Sequence, residues 1–349
     1  EMRERVAKLL GFDQPNASPL PFLGTFHSIA NRILRREADQ IGYTSNFLIY
    51  DAGDSQALIK KILKGMGVDD KTITPSGVAW AISSAKNQLV GPEQYRSLAA
   101  SRIQLVAADV YPIYQAQLRQ AKAMDFDDLI MELVKLLQQD PEVLKKYQQQ
   151  FQYILIDEYQ DTNHAQYQLI KLLAKKHRNL CVVGDDWQSI YSWRGANYQN
   201  ILNFESDYAD AKVVKLEQNY RSTKNILAAA DALIKNNKGQ ILKTIFTENP
   251  AGDPVRIIEC VDERDEASII VRTVEDEARL GHPERGEGHD ITTEEAGPAR
   301  EVRQSLRHDV LLPRIECKLL ALLDDRLGDV VERGLGHVAM VSAMRGIGK

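Results

Sequence analysis

The chain has 349 residues, of which 44% are hydrophobic and 27% are charged, and its formal net charge is −5 at pH 7. This length predicts two or three domains with a sizeable core, and the acidic balance argues against a protein coated with basic surface. No apolar run approaches the roughly 20 residues that cross a bilayer, and residues 1–10 lack the apolar centre of a signal peptide. We therefore expect no membrane association and a cytoplasmic location.

The first part of the chain predicts a strand followed by a helix. Residues 1–10 resemble a helix end that stops at Gly11, and no start signal precedes them, so we expect that an N-terminal part is missing. A short apolar strand then leads into Thr25, and the helix after it carries Ile29 and Ile33 on one face.

Small polar residues occupy the turn between that strand and that helix. Thr25, His27 and Ser28 lie where hydroxyl groups and unpaired backbone N–H groups can hold a phosphate. The same residues also fit an ordinary helix N-cap, in which a side-chain oxygen accepts a hydrogen bond from the first turn. Taken alone, the turn favours the cap.

Residues 48–122 predict only amphipathic helices. Breaks between them are expected at Gly67, Pro75 and Gly91-Pro92, and no alternation of apolar and polar residues indicates a strand. We interpret this region as a helical insertion within an α/β domain, followed by one more amphipathic helix over residues 124–139.

Strands and helices alternate from residue 152 onwards. The predicted elements are a strand (152–158), a helix (162–176), a strand (179–186), a helix (196–208), a strand, turn and helix (212–237), and a second strand and helix (254–276). Alternation at this spacing is typical of parallel βαβ units. We therefore expect an α/β fold with a parallel sheet.

The composition changes after about residue 276. Every Phe, Tyr, Trp and Asn lies before that point. Residues 281–300 have the polar composition of a linker, and residues 309–334 could form one or two amphipathic helices. Two explanations stay open: a fused helical module, or a fusion or reading-frame shift near residues 272–282.

The first motif with chemical content places two acids at a strand end. Asp157 and Glu158 follow the apolar run of the strand over 152–158. An Asp there can hold Mg²⁺, and an adjacent Glu can orient and deprotonate a water that attacks a γ-phosphate. One or two carboxylates suffice for Mg²⁺ because phosphates supply further oxygens. Acidic strand ends are common, so this motif is not specific by itself.

The second motif, GDDWQSIYSWRGA, is more specific. Its Asp185 and Gln188 follow the next strand, and Gln188 can contact a γ-phosphate through its amide. Tyr191, Trp193 and Arg194 place flat rings and a cation nearby, and stacking of a base on a ring is worth about 1–3 kcal/mol whatever the base. The alternative is that Tyr191 and Trp193 are core aromatics.

The third motif, LEQNYRS, contributes an acid, a ring and a cation. Tyr220 could stack on a purine, and Arg221 could neutralise charge on a γ-phosphate as an arginine finger does. A surface loop with a helix cap at Ser222 would explain the same residues. The three motifs follow one another about 30 residues apart, and this order is more specific than any one of them.

Together the motifs resemble the superfamily 1 DNA helicases of the UvrD/PcrA/Rep type, over roughly residues 1–275. The matching segments are EMRERV (1–6), GTFHSIANRILR (24–35), FDDLI (126–130), ILIDEYQDTN (154–163), VVGDDWQSIYSWRGA (182–196), LEQNYRSTKNIL (216–227) and DERDEA (262–267). The resemblance implies a RecA-like parallel sheet of the P-loop NTPase type with a helical insertion. It also implies ATP and Mg²⁺ as cofactors, an ATP site between two RecA-like domains, and 3′→5′ translocation on single-stranded DNA.

The resemblance further implies domain boundaries and residue roles. The domains would be the first RecA-like domain (1–47 and 123–215), the insertion (48–122), the start of a second RecA-like domain (216–276) and a tail outside the family (277–349). The nucleotide site would use Asp157 as Mg²⁺ ligand, Glu158 as catalytic base, Gln188 as γ-phosphate sensor beside Asp185, Arg221 as finger and Tyr220 as adenine stack. The DNA strand would face Thr25, His27, Tyr191, Trp193 and Arg194.

The chain also departs from the family pattern. Family members carry an ATP-contacting Gln and a phosphate loop of the form G-x-x-x-x-G-K-[ST] before the first of these segments, and later motifs in the second RecA-like domain; none is found here. Residues 343–349, AMRGIGK, lack the hydroxyl residue of that loop, and we interpret the likeness as chance. Trp187 stands where relatives usually carry a third Asp.

We therefore expect part of an ATP-dependent 3′→5′ DNA helicase that has little ATP hydrolase activity as this chain alone. Its expected partners are single-stranded DNA, junctions of single- and double-stranded DNA, and repair or replication proteins. The alternative is a residual single-strand DNA-binding module without ATPase activity.

Overall fold

The computed structural model describes residue 6, residues 22–68 and 73–279, and the backbone of residues 337–342. Four sequence predictions lie wholly or almost wholly outside these residues: the helix end in 1–10, the linker over 281–300, the helices over 309–334 and the segment 343–349. The chain divides into two compact units, residues 1–212 with 335–349 and residues 213–334. Within the described ranges, no helix is both long and apolar enough to span a membrane.

The first unit starts with β1 (Leu23–Thr25) and α1 (Phe26–Arg36), as the sequence predicts. Thr25 is the N-cap of α1, because its Oγ1 accepts a hydrogen bond from the Ser28 N–H at 3.2 Å. Ile29 and Ile33 are buried, as expected for residues four apart on one helix face.

Four helices form the insertion: α2 (Ala52–Gly65), α3 (Pro75–Asn87), α4 (Pro92–Leu98) and α5 (Arg102–Gln120). The chain leaves for the insertion at β2 (Leu48–Tyr50) and returns at β3 (Ala123–Asp125), and these two strands pair in parallel. The prediction of only helices over 48–122 is therefore wrong for residues 48–50. Pro75 and Pro92 begin helices at the predicted breaks, since proline lacks the N–H that the first helical position leaves unused. The buried side chains of the four helices form a hydrophobic core of their own.

The central part of the first unit contains α6 (Phe126–Gln139), α7 (Pro141–Gln150), β4 (Phe151–Ile156), α8 (His164–Ala174) and β5 (Leu180–Val182). β4 and β5 pair in parallel, with Ile154 opposite Leu180, which confirms the predicted βαβ unit. Helix α7 was not predicted, although Asp140 at its N-cap and Pro141 at its first position are typical start signals.

Two short helices, α9 (Gln199–Leu202) and α10 (Phe204–Asp207), replace the single helix predicted over 196–208. The second unit contains α11 (Lys224–Ile234) and α12 (Glu263–Arg279). The strands predicted before these two helices are wrong, because only an isolated bridge between Gln218 and Phe246 is present among the described residues of this unit. Leu216 and Ile257 are 79% and 92% exposed, and strand-forming side chains need a neighbouring strand or core to adopt that conformation.

The last strand, β6 (His337–Ser342), lies between β1 and β4 in the sheet order β1-β6-β4-β5 and runs antiparallel to both neighbours. The prediction of only a linker and helices in the tail is therefore wrong for these six residues. A strand here satisfies backbone groups of β1 and β4 that would otherwise be unpaired. Because Phe151 pairs with Ser342 and Ile156 with Val338, the chain leaves β6 at the sheet edge opposite to the carboxyl end of β4.

The main core of the first unit combines the inner faces of α1, α6 and α8 with the inward side chains of β4. Phe151 is 1% exposed, and its ring lies 4.8 Å from that of Phe22, edge to face, and 5.7 Å from that of Tyr147. Tyr153, on the same strand, is 54% exposed. The first residue of β4 is therefore tightly packed in the core.

Replacing Phe151 by alanine should destabilise the protein by about 3–5 kcal/mol, since a large aromatic side chain leaves a cavity between two other rings. Tyr153→Ala on the same strand is the matched control and should cost about 0.5 kcal/mol, as is usual for exposed positions. Urea unfolding followed by circular dichroism measures both. Equal losses for the two variants would contradict this location of the core.

Candidate active site and nucleic-acid interface

The segment after β4 carries the two predicted acids in an unusual backbone conformation. Glu158 has φ 51° and ψ 47°, in the left-handed region that non-glycine residues rarely occupy. The Asp157 carboxylate accepts a hydrogen bond from the Glu158 N–H at 3.1 Å, which stabilises this bend. The bend leaves Glu158 exposed at the carboxyl end of the strand. Such strained positions cost of the order of 1–3 kcal/mol and cluster at functional sites.

A buried amide joins the ends of β4 and β5. Gln160 is 1% exposed; its Nε2 donates to Glu158 Oε2 at 2.6 Å, and its Oε1 accepts from the Asp185 N–H at 3.0 Å. Asp185 Oδ2 in turn accepts from Gln188 Nε2 at 2.9 Å. A continuous series of hydrogen bonds thus connects Glu158 with Gln188, although 30 positions separate them in the sequence.

Gly184 makes this close approach feasible. A Cβ at position 184 would lie 2.6 Å from Gln160 Oε1 and 3.2 Å from the backbone nitrogen of Tyr159. Any side chain there would displace the buried amide, so glycine is required for steric reasons at this position of the GDD motif. Glu158, Asp185 and Gln188 were predicted from the sequence, whereas Gln160, two positions after Glu158, was not.

A second acid of the same segment is poorly solvated. Asp161 Oδ1 is buried without a hydrogen-bond partner among the described residues. Burial raises the pKa of Asp161 to about 7, and the nearby charge of Glu158 contributes to the increase. Near neutral pH the folded protein therefore holds Asp161 partly protonated.

The loop after Gln188 presents its rings and its cation to solvent. Trp193 is 60% exposed, so it is not a core residue, which was the alternative explanation. Its ring centroid lies 6.4 Å from that of Tyr191, and the Arg194 guanidinium lies 4.5 Å from the Trp193 ring and 5.6 Å from the Tyr191 ring. This arrangement can stack with bases and attract phosphate at one place.

The turn before α1 combines a cap with an aromatic contact. Thr25 acts as the N-cap, and the His27 ring lies 5.6 Å from the ring of Phe126, the first residue of α6. Burial lowers the pKa of His27 to about 4, so His27 is neutral at pH 7. Phe126 is 48% exposed. Phe126 lies in the matching segment FDDLI, but nothing in the sequence pattern indicates an exposed ring beside His27.

The second unit carries Tyr220 and Arg221 on an exposed turn. Tyr220 is 78% exposed, and its hydroxyl donates to Gln218 at 2.8 Å. Asn219 Oδ1 accepts hydrogen bonds from the backbone of Arg221 and Ser222 at 3.0 and 2.7 Å, which fixes the turn. The helix cap suggested for Ser222 is wrong by one position, since the residue before α11 is Thr223 and it makes no side-chain capping bond.

Comparison with known families decides the identity of the fold. Residues 1–209 match the model of the UvrD/REP helicase N-terminal domain, and residues 214–295 match that of the UvrD-like helicase C-terminal domain. The chain belongs to the UvrD/Rep helicase family. The second match continues beyond residue 276, where the resemblance was expected to end, to residue 295.

Individual relatives agree with the family match. The chain is 50% identical over 281 residues to ATP-dependent DNA helicase PcrA of Staphylococcus aureus, and 49% identical over 281 residues to the PcrA of Staphylococcus epidermidis. Each alignment covers 80% of this chain and 38% of the relative. The chain thus spans well under half the length of the curated relatives that it matches.

The residues of this UvrD-like site fit a magnesium ion. No group of three or more His, Cys, Asp or Glu residues in the described part of the chain could hold a metal by itself. Mg²⁺ does not need such a group, since one or two carboxylates and the phosphates of a nucleotide complete its shell. Asp157 supplies a carboxylate at the strand end where parallel sheets bind ligands.

Asp161 predicts a specific dependence of stability on pH. An acid whose folded pKa lies above its unfolded value of about 4 makes the protein less stable as pH rises from about 4 to about 7. Asp161→Asn stays neutral, so in buffer free of divalent cations it should raise the melting temperature at pH 8, by about 2 °C or more. At pH 4 the difference should vanish.

Differential scanning calorimetry at both pH values measures this effect. Asp39→Asn, at an exposed position of the same unit, is the control and should change the melting temperature little at either pH. A gain for Asp161→Asn that is equal at pH 4 and pH 8 would contradict the assignment to the carboxyl group.

Proposed function

We propose that this chain is part of an ATP-dependent DNA helicase that moves 3′→5′ along single-stranded DNA and opens junctions with duplex DNA. The hydrogen-bonded series Glu158–Gln160–Asp185–Gln188 carries this proposal, together with membership of the UvrD/Rep family. We expect it to act in the cytoplasm, with repair and replication proteins as candidate partners.

In the proposed nucleotide site, three side chains after β4 and β5 would bind the metal, the water and the γ-phosphate. Asp157 would hold Mg²⁺, which supplies positive charge to the phosphates when it is bound. Glu158, exposed at the strand end, would accept a proton from the attacking water. Gln188 would contact the γ-phosphate through its amide, and its bond to Asp185 orients that amide.

The exposed turn of the second unit carries two further residues that we propose as nucleotide contacts. Arg221 would stabilise negative charge on the γ-phosphate, and the Tyr220 ring, 78% exposed, would stack on adenine. We assign residues 1–47 and 123–215 to the first RecA-like domain, 48–122 to the insertion, and 216 to the end of the family match at residue 295 to the start of the second RecA-like domain.

In the proposed DNA interface, rings contact bases and hydroxyl or cationic groups contact the backbone. Trp193, Tyr191 and Phe126 have partly or largely exposed rings, and Arg194 adds a cation beside two of them. Thr25 and His27 would contact the same strand. Because His27 is neutral at pH 7, it would contribute through its ring and not through charge.

We expect this chain to hydrolyse ATP slowly. Its 349 residues contain no G-x-x-x-x-G-K-[ST] segment, and that loop and its Lys make the main triphosphate contacts in P-loop NTPases. In a steady-state assay with saturating single-stranded DNA, the unmodified chain and Glu158→Gln should therefore show the same low rate.

Glu142→Gln is the matched control for this assay, because the Glu142 side chain is 82% exposed on α7. Turnover well above background that Glu158→Gln abolishes and Glu142→Gln does not would contradict the low activity of this chain. The same result would support the role proposed for Glu158.

A second candidate function is single-strand DNA binding without ATPase activity, which the exposed loop Tyr191–Arg194 favours. Trp193→Ala should weaken binding of a fluorescent oligothymidine by roughly 5- to 100-fold, since stacking is worth about 1–3 kcal/mol per base. Trp80→Ala is the matched control, because Trp80 on α3 is 61% exposed and Trp193 is 60% exposed. Fluorescence anisotropy measures both, and equal losses would contradict a specific role for the loop.

A further inference from the structure

The end of helix α3 of the insertion carries two adjacent polar residues that both reach into the rest of the first unit. Lys86 is 1% exposed, and its Nζ lies 2.6 Å from Asp125 Oδ2 and 2.7 Å from Asp128 Oδ1. Asn87 Oδ1 accepts a hydrogen bond from Asn163 Nδ2 at 2.6 Å. Neither residue belongs to the motifs that carry the family resemblance.

Lys86 fixes the start of α6. Asp125 and Asp128 form a reciprocal capping box there, in which Asp125 Oδ1 accepts from the Asp128 N–H at 2.9 Å. Burial alone would lower the pKa of Lys86, but the carboxylates of Asp128 and Asp125 outweigh that effect and raise it. Lys86 is therefore charged. A buried ion pair adds little net stability over apolar packing, so its main contribution here is a defined geometry.

Asn87 accepts a hydrogen bond from the segment that carries the candidate catalytic acids. Asn163 closes that segment as the N-cap of α8, where its Oδ1 accepts from the Gln166 N–H at 2.9 Å. Its amide nitrogen is therefore available for Asn87, and Asn163 is only 8% exposed. The contact joins residues 76 positions apart.

The aromatic loop lies against the same contact. A Cβ at Gly195 would be 3.8 Å from Asn87 Cβ and 4.0 Å from Asn163 Cβ. Thr162, next to Asn163, accepts a hydrogen bond from the Asn197 N–H at 3.0 Å. Three segments therefore meet at Asn87: the insertion helix, the acid segment 157–163, and the loop that carries Trp193 and Arg194.

We propose that Asn87, anchored by Lys86, is a positioning residue that holds the acid segment 157–163 and the aromatic loop in fixed register with the insertion. The functional consequence rests on the proposed function: DNA that binds at the loop would change the position of the segment that carries Glu158. The register itself can be measured without any ligand. Asn87 acts through Asn163 and touches neither nucleotide nor DNA in this role.

Two mild substitutions break the contact from opposite sides. Asn87→Ala removes the acceptor, together with the bonds of Asn87 to Ser83 and Asp127, whereas Asn163→Ser leaves those two bonds in place. Asn163→Ser keeps an N-cap oxygen for α8, since serine caps helices as well as asparagine does, but is too short to reach Asn87. Lys86→Met is unsuitable as a test of the contact, because it would leave two buried carboxylates without their positive partner and would destabilise the whole unit.

Hydrogen exchange without ligand decides the structural claim. Amides of residues 159–162, which include the bonded N–H groups of Tyr159, Asp161 and Thr162, should exchange roughly three- to tenfold faster in each variant. Core amides of α6 should not change, and the double variant should be no faster than the single ones. Asn179→Ala is the matched control, because Asn179 makes a comparable bond to Gln152 at the other end of β4. Unchanged exchange at 159–162, or a uniform increase that includes α6, would overturn the proposal.

A second arm adds a saturating oligothymidine to the same proteins. In the unmodified chain, DNA should slow exchange at 159–162, and in Asn87→Ala and Asn163→Ser this protection should fall by roughly threefold or more, while affinity for the oligonucleotide changes less. Protection that persists in both variants would overturn the coupling. A chain that binds no oligonucleotide would instead contradict the proposed DNA function, and the ligand-free exchange would still decide the role of Asn87.

Discussion

The candidate site depends on one buried amide. Gln160 donates to Glu158 and accepts from the backbone of Asp185, so a single side chain sets the spacing between the ends of β4 and β5. A buried amide that loses either partner carries the full cost of desolvation, which makes this spacing hard to change by small steps. Gly184 supplies the room, and the left-handed backbone of Glu158 turns its carboxylate toward the amide. One hydrogen bond thus joins the strained residue Glu158 to the buried side chain of Gln160.

Local signals made much of this unit predictable from its sequence. Proline at a first helical turn and an apolar face of period 3.6 depend on neighbours in the chain, so α3 and α4 begin at breaks that the sequence predicts, and α8 lies within two residues of its predicted bounds. The acids at the end of β4 were found for the same reason, because a strand end is readable in the sequence. Gln160 and Asn87 were not found, since the Asp185 N–H from which Gln160 accepts a hydrogen bond and the Asn163 amide from which Asn87 accepts one lie 25 and 76 positions away, and nothing in the local pattern selects one amide among several.

The strands show where such reasoning fails. Residues 212–217 and 254–260 have β-forming side chains, yet the structure gives them no ladder, and Leu216, Ile257 and Val261 are at least 79% exposed. Conversely, β6 forms in a region whose composition predicts only a linker and helices, because β1 and β4 offer unpaired backbone on both sides. A helix satisfies its own hydrogen bonds, whereas a strand depends on what lies beside it. Sequence patterns therefore predicted the helices of this chain better than its sheet.

The surfaces proposed for nucleotide and for DNA share one short segment of the first unit. The acid segment is short, and both of its ends are held: Tyr159 N–H donates to Val183 O of the chain after β5 at 3.0 Å, and Asn163 caps α8. The aromatic loop is held by Thr162 of that same segment through the Asn197 N–H. The N–H groups of residues 158, 159 and 161–163 each make a hydrogen bond, so little of the backbone between the two proposed surfaces is free to absorb a displacement. We therefore expect a displacement at the loop to shift the segment that both surfaces share.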